Sequence, residues 1–203
     1  MFIAFEGIEG AGKSTQAARL AERLRAAGRD VLVVREPGGT PFAEQVRQLL
    51  LHEPYEVTAA SEMFLFQAAR ADLVSRVLRP ALAAGRVVIA DRYELSTRAY
   101  QVAGRGLPES GVRAAIALAT GGLVPDLYLV LDLDVDAGRG RQAAQGKSPD
   151  RMERADAAFH ARVAEAFRRA SGPDVVHVPA GGSEDRTAEL VWQAVVAASP
   201  ALA

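Results

Sequence analysis

Gly7-Ile8-Glu9-Gly10-Ala11-Gly12-Lys13-Ser14 is a glycine-rich segment near the N-terminus, directly after the apolar run Phe2-Ile3-Ala4-Phe5. It fits the pattern G-x-x-x-x-G-K-[ST] between a strand and a helix, where backbone N–H groups and the start of the helix surround phosphate oxygens. Glycine is needed where a side chain would hold the backbone away from those oxygens. We therefore predict that residues 7–15, ending at Thr15, bind a nucleoside triphosphate, with the Lys13 ammonium on its phosphates and the Ser14 hydroxyl on Mg²⁺.

The overall composition is that of a soluble globular protein. The chain has 203 residues, of which 49% are hydrophobic and 24% charged, and this predicts one domain over residues 1–203. The net charge of −1 offers no general basic surface to a nucleic acid polymer, so we expect small phosphorylated ligands. The absence of cysteine excludes disulfides and thiolate metal sites, and it fits a reducing compartment. No apolar run approaches the ~18 residues that cross a bilayer, so we expect no membrane partner and a cytoplasmic location.

Apolar runs alternate with segments of helical period along the chain. After the first run, the candidate strands are Val31–Val34, Val87–Ala90, Leu127–Leu133 and Val175–Val178. Candidate helices include Gln16–Ala27 and Ser61–Ala84, the second bent or interrupted by Pro80. This alternation predicts a three-layer α/β/α fold with a five-stranded parallel sheet. The segment 138–154 is polar and rich in arginine, and we predict a mobile loop between helices there.

A second polar cluster follows the candidate strand Val87–Ala90. Asp91 and Arg92 come directly after it, at the edge where open parallel sheets bind ligands. We predict that Asp91 holds the Mg²⁺ water shell or orients Ser14, and that Arg92 clamps a phosphate. The alternative is a structural ion pair between Asp91 and Arg92 that caps the strand.

Hydroxyl and amide side chains follow that cluster on what we interpret as one helical turn: Ser96, Thr97, Tyr100 and Gln101. They offer hydrogen bonds to a small polar ligand. The alternative is that they are ordinary surface residues.

These motifs together resemble the thymidylate kinase family of nucleoside monophosphate kinases. The matching elements, in order, are Phe5-Glu6-Gly7 leading to Gly12-Lys13-Ser14-Thr15-Gln16, then Arg35-Glu36-Pro37-Gly38-Gly39-Thr40, Phe66-Gln67-Ala68-Ala69-Arg70, Asp91 to Gln101, and Asp150-Arg151-Met152-Glu153. The resemblance implies transfer of the γ-phosphoryl group of ATP, with Mg²⁺, to the small-molecule substrate dTMP on the path to dTTP. It also implies a P-loop NTPase fold with a flexible lid, here about residues 138–154, and assembly as a homodimer.

The resemblance assigns the pyrimidine to Phe66 and Arg70, which stand four residues apart and share a helix face. The ring stacks on the base and the guanidinium donates to a base carbonyl. Taken without the resemblance, the pair also fits a core phenylalanine beside a solvated arginine.

The remaining acceptor contacts come from four parts of the chain. The resemblance implies that Glu9 accepts from the sugar 3′-hydroxyl while Tyr100 packs under the deoxyribose. Arg92 and Arg47 hold the acceptor phosphate, and the turn from Glu36-Pro37 to Thr40 brings the backbone close to it.

The resemblance also places a catalytic arginine either in the phosphate loop or in the lid. The loop here carries Ile8-Glu9-Gly10, so the lid must supply that arginine. The lid cations are Arg139, Arg141, Lys147, Arg151 and Arg154. The framing of the family pattern favours Arg151 and Arg141, which complete the predicted catalytic set with Lys13, Glu9 and Arg92. The chain departs from that pattern at Gln145-Gly146, where an Arg-Gly pair is common.

Two other functions stay open at this point. A kinase for another nucleoside monophosphate would use the same architecture, because the thymine methyl group supplies only ~1–3 kcal/mol of discrimination. A P-loop switch or partner-binding ATPase would also use the loop, but it needs neither a base-stacking phenylalanine nor a second phosphate site.

Overall fold

The computed structural model describes residues 1–51, 55–144 and 150–202. Its strands are β1 (Phe2–Glu6), β2 (Val31–Arg35), β3 (Val87–Asp91), β4 (Leu127–Asp132) and β5 (Val175–Pro179). The helices of this part of the chain are α1 (Lys13–Ala26), α2 (Pro41–Leu51), α3 (Ala59–Leu73), α4 (Arg79–Ala83), α5 (Glu94–Thr97), α6 (Glu109–Thr120), α7 (Val135–Ala144), α8 (Ala157–Arg168) and α9 (Glu184–Ala198). Two π-helical turns, Val74–Leu78 and Arg98–Gly104, and a 3₁₀ turn at Pro200–Leu202 complete it.

The five strands form one parallel sheet in the order β2-β3-β1-β4-β5. Each strand is an apolar run, as expected where helices cover both faces of a sheet. Helices α1 and α9 pack together over one face, and α4 and α8 pack against β3 and β4. The predicted fold is therefore confirmed.

The register of the sheet brings three strand ends to one edge. Phe5 of β1 and Arg35 of β2 both pair with Asp91 of β3. The loops that follow these strands therefore emerge side by side, at the point where the strand order reverses direction, which is where open α/β sheets bind ligands.

The long helical segment predicted over Ser61–Ala84 is helical throughout but irregular. It changes from α3 to the π-helical turn Val74–Leu78 and returns to α-helix at Arg79. Pro80 lies in the first turn of α4, where a missing N–H removes no intrahelical bond. The predicted interruption lies just before the proline.

The prediction of a loop over the whole segment 138–154 is wrong in its first part, because α7 extends to Ala144. Glycines at 138 and 140 weaken the helical signal in the sequence. The helix forms nevertheless, since the Asp134 carboxylate accepts from the N–H groups of Asp136, at 2.9 Å, and Ala137, at 3.4 Å. Residues 145–149, which include Lys147 and Gln145-Gly146, lie outside the described residues.

None of the helices in the described part of the chain has the length and apolar character needed to span a membrane.

Candidate active site

The phosphate loop joins β1 to α1, and both backbone angle and space require glycine at two of its positions, Gly7 and Gly10. Gly7 and Gly10 have φ values of 130° and 73°, a region that favours glycine. A Cβ at Gly7 would lie 2.7 Å from the carbonyl oxygen of Leu131, and one at Gly10 would lie 2.3 Å from that of Gly138. The loop is thus packed against β4 and α7, with the N-terminus of α1 facing the cleft.

Lys13 is buried at the start of α1. Its Nζ donates to the carbonyl oxygens of Gly7, at 3.1 Å, and Ile8, at 2.7 Å. Burial, together with the charge of Arg92, lowers the pKa of Lys13 to about 8. The side chain is therefore still mostly cationic at neutral pH, as a phosphate-binding lysine must be.

Ser14 and Asp91 meet across the sheet edge, because β1 and β3 pair in register there. The Ser14 hydroxyl donates to the Asp91 carboxylate. Hydroxyl and carboxylate oxygens are ligands that Mg²⁺ accepts alongside water and phosphate. By that chemistry, Ser14 and Asp91 fit a nucleotide-bound Mg²⁺.

Arg92 occupies the centre of the site in a strained conformation. Its φ is 75°, which is uncommon for a residue other than glycine. The guanidinium donates to Gly7 O at 3.2 Å, Ser96 Oγ at 3.0 Å, Glu9 Oε1 at 3.3 Å and the Tyr100 hydroxyl at 3.3 Å. The interpretation as an Asp91–Arg92 ion pair is not supported, because Arg92 pairs with Glu9 instead.

Glu9 is an ionised acceptor within the phosphate loop. Burial would raise its pKa, but the charges of Arg92 and Lys13 and a hydrogen bond from the Tyr100 hydroxyl hold that pKa below its usual value. The loop therefore tolerates a carboxylate because two cations flank it. Its oxygens can accept from a hydroxyl group of a bound ligand.

Glu6 is a functional residue that the sequence analysis did not assign. The side chain is completely buried, and its carboxylate accepts from Tyr93 N at 2.9 Å, Ser96 N at 3.2 Å and Ser96 Oγ at 2.6 Å. Burial raises the pKa of Glu6 despite the opposing Ser96 and Arg92. Glu6 thus ties the end of β1 to the turn that carries Arg92. An acid placed directly after an apolar strand was the available signal.

Phe66 and Arg70 of α3 form the far end of the cleft. Phe66 is half-buried and lines the cleft, while Arg70 is only 3% exposed, so the alternative of a solvated arginine is wrong. Two nitrogens of Arg70 contact the same Oε2 of Glu36, at 2.7 Å from Nε and 2.6 Å from Nη2, and Glu36 Oε1 is buried without a partner among the described residues. Its other N–H groups donate to Gln67, Thr97 and the carbonyl of Tyr93. Arg70 therefore organises this end of the cleft, and its direct reading of a base stays a prediction.

The four polar residues predicted after Arg92 are buried rather than on the surface. Ser96 contacts Glu6, Thr97 accepts from Arg70 Nη1 at 2.9 Å, and the Gln101 amide donates to Glu62 at 2.9 Å. They lie on α5 and the following π-helical turn, and all line the cleft.

Arg47 and Pro37 meet on the acceptor side of the cleft. Arg47 projects from α2 and donates to the carbonyl oxygen of Pro37 at 2.9 Å. Both residues line the cleft with Glu36, so the structure brings together the predicted acceptor-phosphate residues.

The described lid cations lie in different places. Arg141 of α7 donates to Ala180 O at 2.9 Å and reaches Gly10 O at 3.5 Å, so it is beside the phosphate loop. Arg139 also lines the cleft, and Arg154 is exposed outside it. Arg151 is not brought to the phosphate loop, because its Nε donates to Leu50 O at 2.7 Å and its Nη1 pairs with Glu62 at 2.8 Å.

The site as a whole is one continuous cleft of about 1170 Å³. It runs from the phosphate loop to Phe66, with residues 180–187 as a further wall that the sequence analysis did not assign. Pockets for one small ligand are typically about 300–1,000 Å³, so this cleft is larger than a usual single-ligand pocket.

The thymidylate kinase family model matches residues 5–190. The chain belongs to the thymidylate kinase family. It is 48% identical over 198 residues to the thymidylate kinase of Deinococcus radiodurans, covering 96% of each chain, and 52% identical over 176 residues to that of Pseudomonas fluorescens, covering 85% of this chain and 83% of the relative. A crystal structure of thymidylate kinase from Ehrlichia chaffeensis superposes with a TM-score of 0.79 at 28% identity, covering 96% of this chain and 98% of that one. The resemblance seen in the motifs is confirmed.

Replacing Glu6 by alanine is expected to destabilise the fold. The backbone N–H groups of Tyr93 and Ser96 would lose a buried acceptor, which costs about 2–4 kcal/mol in free energy of unfolding. Urea denaturation measures this, with Glu22→Ala on the exposed face of α1 as a control that should change stability by under about 0.5 kcal/mol. Equal midpoints for the two variants would show that Glu6 does not hold this turn.

Proposed function

We propose that this chain transfers the γ-phosphoryl group of ATP, bound with Mg²⁺, to dTMP, giving dTDP and ADP. The observation that carries the proposal is the single cleft with two different ends. One end is an anion-binding loop with Lys13, and the other combines the half-buried ring of Phe66 with the phosphate-binding candidates Arg92 and Arg47. Membership of the thymidylate kinase family supports the same reaction.

The donor end binds and orients a triphosphate. When bound, ATP with Mg²⁺ supplies the transferable phosphoryl group and a divalent positive charge. The loop N–H groups and Lys13 neutralise phosphate oxygens, and Ser14 and Asp91 hold the metal or its water. Lys13 must exchange its contacts with the carbonyls of Gly7 and Ile8 for phosphate oxygens.

The acceptor end positions the attacking phosphate. Phe66 stacks on the pyrimidine, Glu9 accepts from the sugar hydroxyl, and Arg92 with Arg47 holds the monophosphate. Glu9 and Arg92 are already paired at 3.3 Å. This ion pair fixes the carboxylate that accepts from the sugar relative to the guanidinium that holds the phosphate. Phosphoryl transfer requires little covalent work from a protein, so positioning and charge neutralisation provide the catalysis. No covalent intermediate is required.

The two competing functions are less well supported by the same site. A nucleotide-controlled switch does not require an acceptor pocket lined by a buried Arg70–Glu36 pair and the half-buried ring of Phe66. A kinase for another nucleoside monophosphate differs only in base recognition, and the thymidylate kinase relatives favour thymine.

A coupled ADP-release assay with dTMP, dUMP, dCMP and dGMP tests the proposal. We expect the highest kcat/KM with dTMP and a value about 10–200-fold lower with dUMP, because only one methyl group differs. Without a monophosphate, ADP release should be negligible. ADP formation that is independent of the acceptor would instead indicate the switch, and a preference for dGMP would indicate the other kinase.

Arginine substitutions test the origin of the catalytic cation. We expect Arg141→Ala to lower kcat by about 10³-fold, because Arg141 is the described lid arginine that reaches the phosphate loop. Arg151→Ala should lower kcat by a smaller factor, about tenfold. Arg168→Ala, on an exposed position of α8, is the matched control with unchanged kcat. An unchanged kcat for both Arg141→Ala and Arg151→Ala would remove both residues from the mechanism.

We also propose that the chain forms a homodimer in the cytoplasm, where its substrates are found. Helices α3 and α6 pack against each other and carry strongly exposed apolar side chains, with Phe64 62% and Leu118 86% exposed. Such side chains mark a surface that a second copy can cover. Light scattering should give twice the chain mass for the wild type and the monomer mass for Leu118→Glu. A monomeric wild type would contradict the proposal.

A further inference from the structure

Glu62 of α3 is a buried carboxylate that no step of the proposed mechanism uses. It is 1% exposed and accepts four hydrogen bonds or ion pairs. Oε1 accepts from the Gln101 amide at 2.9 Å and from Arg105 Nε at 3.2 Å, while Oε2 accepts from Arg105 Nη2 at 3.0 Å and Arg151 Nη1 at 2.8 Å. One carboxylate therefore holds two guanidinium groups and one amide in a place with almost no access to water.

The partners of Glu62 lead to different parts of the molecule. Gln101 lines the acceptor end of the cleft. Arg105 follows the π-helical turn and lies 4.6 Å from the ring centroid of Phe159 in α8. Arg151 belongs to the turn that ends the lid segment.

That turn, residues 150–154, has its own internal support. The Asp150 carboxylate accepts from Met152 N at 2.8 Å and Glu153 N at 2.9 Å, and the Glu153 carboxylate accepts from Asp150 N at 2.9 Å. This is the reciprocal arrangement of a capping box. Gln142 of α7 donates to the same Glu153 carboxylate, so the turn is linked to the helix that carries Arg141.

Arg151 attaches this turn to the acceptor side. Its Nε donates to Leu50 O at 2.7 Å, and its backbone N–H donates to Leu51 O at 3.2 Å, at the end of α2. The ion pair with Glu62 completes the attachment. The lid thus contacts the donor side through Arg141 and the acceptor side through Arg151.

We propose that Glu62 is a positioning residue that couples the acceptor end of the cleft to the lid, by fixing Gln101 toward the substrate and Arg151 in the turn 150–154. The proposal rests on the proposed kinase function and deepens it. Loss of the Glu62 charge would leave two guanidinium groups, 26% and 16% exposed, close together without their shared anion. Repulsion and desolvation would then drive Arg151 and its turn away from α3.

Glu62→Gln tests the coupling by steady-state kinetics. The glutamine keeps the size of the side chain and one acceptor oxygen, but loses the charge. We expect KM for dTMP to rise about tenfold and kcat to fall about tenfold, whereas KM for ATP should change by less than about twofold. Glu62→Asp should recover part of both losses. Glu165→Gln, which removes an exposed carboxylate paired with Arg168 and Arg169 on α8, is the matched control and should behave as the wild type.

A second substitution separates the contact of Glu62 with Arg151 from its contact with Gln101. Arg151→Gln removes the ion pair between Arg151 and Glu62 and keeps the hydrogen bond between Gln101 and Glu62. It should therefore lower kcat while leaving KM for dTMP nearly unchanged. The double variant Glu62→Gln/Arg151→Gln should be no worse in kcat than Glu62→Gln alone, since both changes break the same contact. Additive losses in kcat would overturn the coupling through Arg151.

Limited trypsin digestion gives a readout that does not depend on activity. In Glu62→Gln, cleavage after Arg151, identified by mass spectrometry, should be about tenfold faster than in the wild type, because local opening exposes that bond. Glu165→Gln should show the wild-type rate, and circular dichroism should show that all variants are folded. Unchanged cleavage after Arg151, or equal KM changes for both substrates, would overturn the inference. If the wild-type chain does not phosphorylate dTMP, the kinase proposal is refuted. The digestion would still show whether Glu62 holds Arg151 and its turn in place.

Discussion

The parallel pairing of β1 with β3 is the constraint on which the rest of the site depends. It places the phosphate loop beside the turn that carries Arg92, and Glu6 fixes their relative position with three hydrogen bonds. Arg92 has a φ of 75°, a conformation that persists only where the surroundings impose it. The buried Glu6 side chain is the part of those surroundings that accepts three hydrogen bonds from the turn. Donor and acceptor contacts are therefore placed relative to each other by a few rigid residues at one sheet edge.

The electrostatics of the cleft follow from that placement. Lys13 and Arg92 flank Glu9, so a carboxylate can lie inside a loop that binds phosphate without repelling its ligand. Arg70 and Glu36 neutralise each other at the Phe66 end of the cleft. The net charge of −1 is thus compatible with a strongly charged site, because the cations that meet phosphates are concentrated at one edge. Such a local cluster of cations attracts a small phosphorylated ligand.

The sequence predicted the strands well because each buried parallel strand is an uninterrupted apolar run, and the observed bounds differ from the predicted ones by about one residue at an end. The phosphate loop and the Arg92 turn were predictable because their residues are contiguous. Helix α7 was missed, since its start depends on the Asp134 cap and its two glycines weaken the pattern. Glu6 and Glu62 were missed for another reason. Their partners lie far away in the sequence, so even an acid that directly follows an apolar run, as Glu6 does, gives no sign of which groups it will bind.

The phosphate loop has no arginine, so the catalytic arginine proposed above comes from another part of the chain. An arginine carried by a lid contributes to catalysis only while the lid holds it within contact distance of the phosphates. Arg141 is held beside the phosphate loop by the carbonyl oxygens of Ala180 and Gly10, while the turn at 150–154 is attached to α2 and α3 by Arg151. Gln142 and Glu153 connect these two attachments. Under the proposed mechanism, the residues that fix the far end of the lid would influence phosphoryl transfer although they do not touch the phosphates.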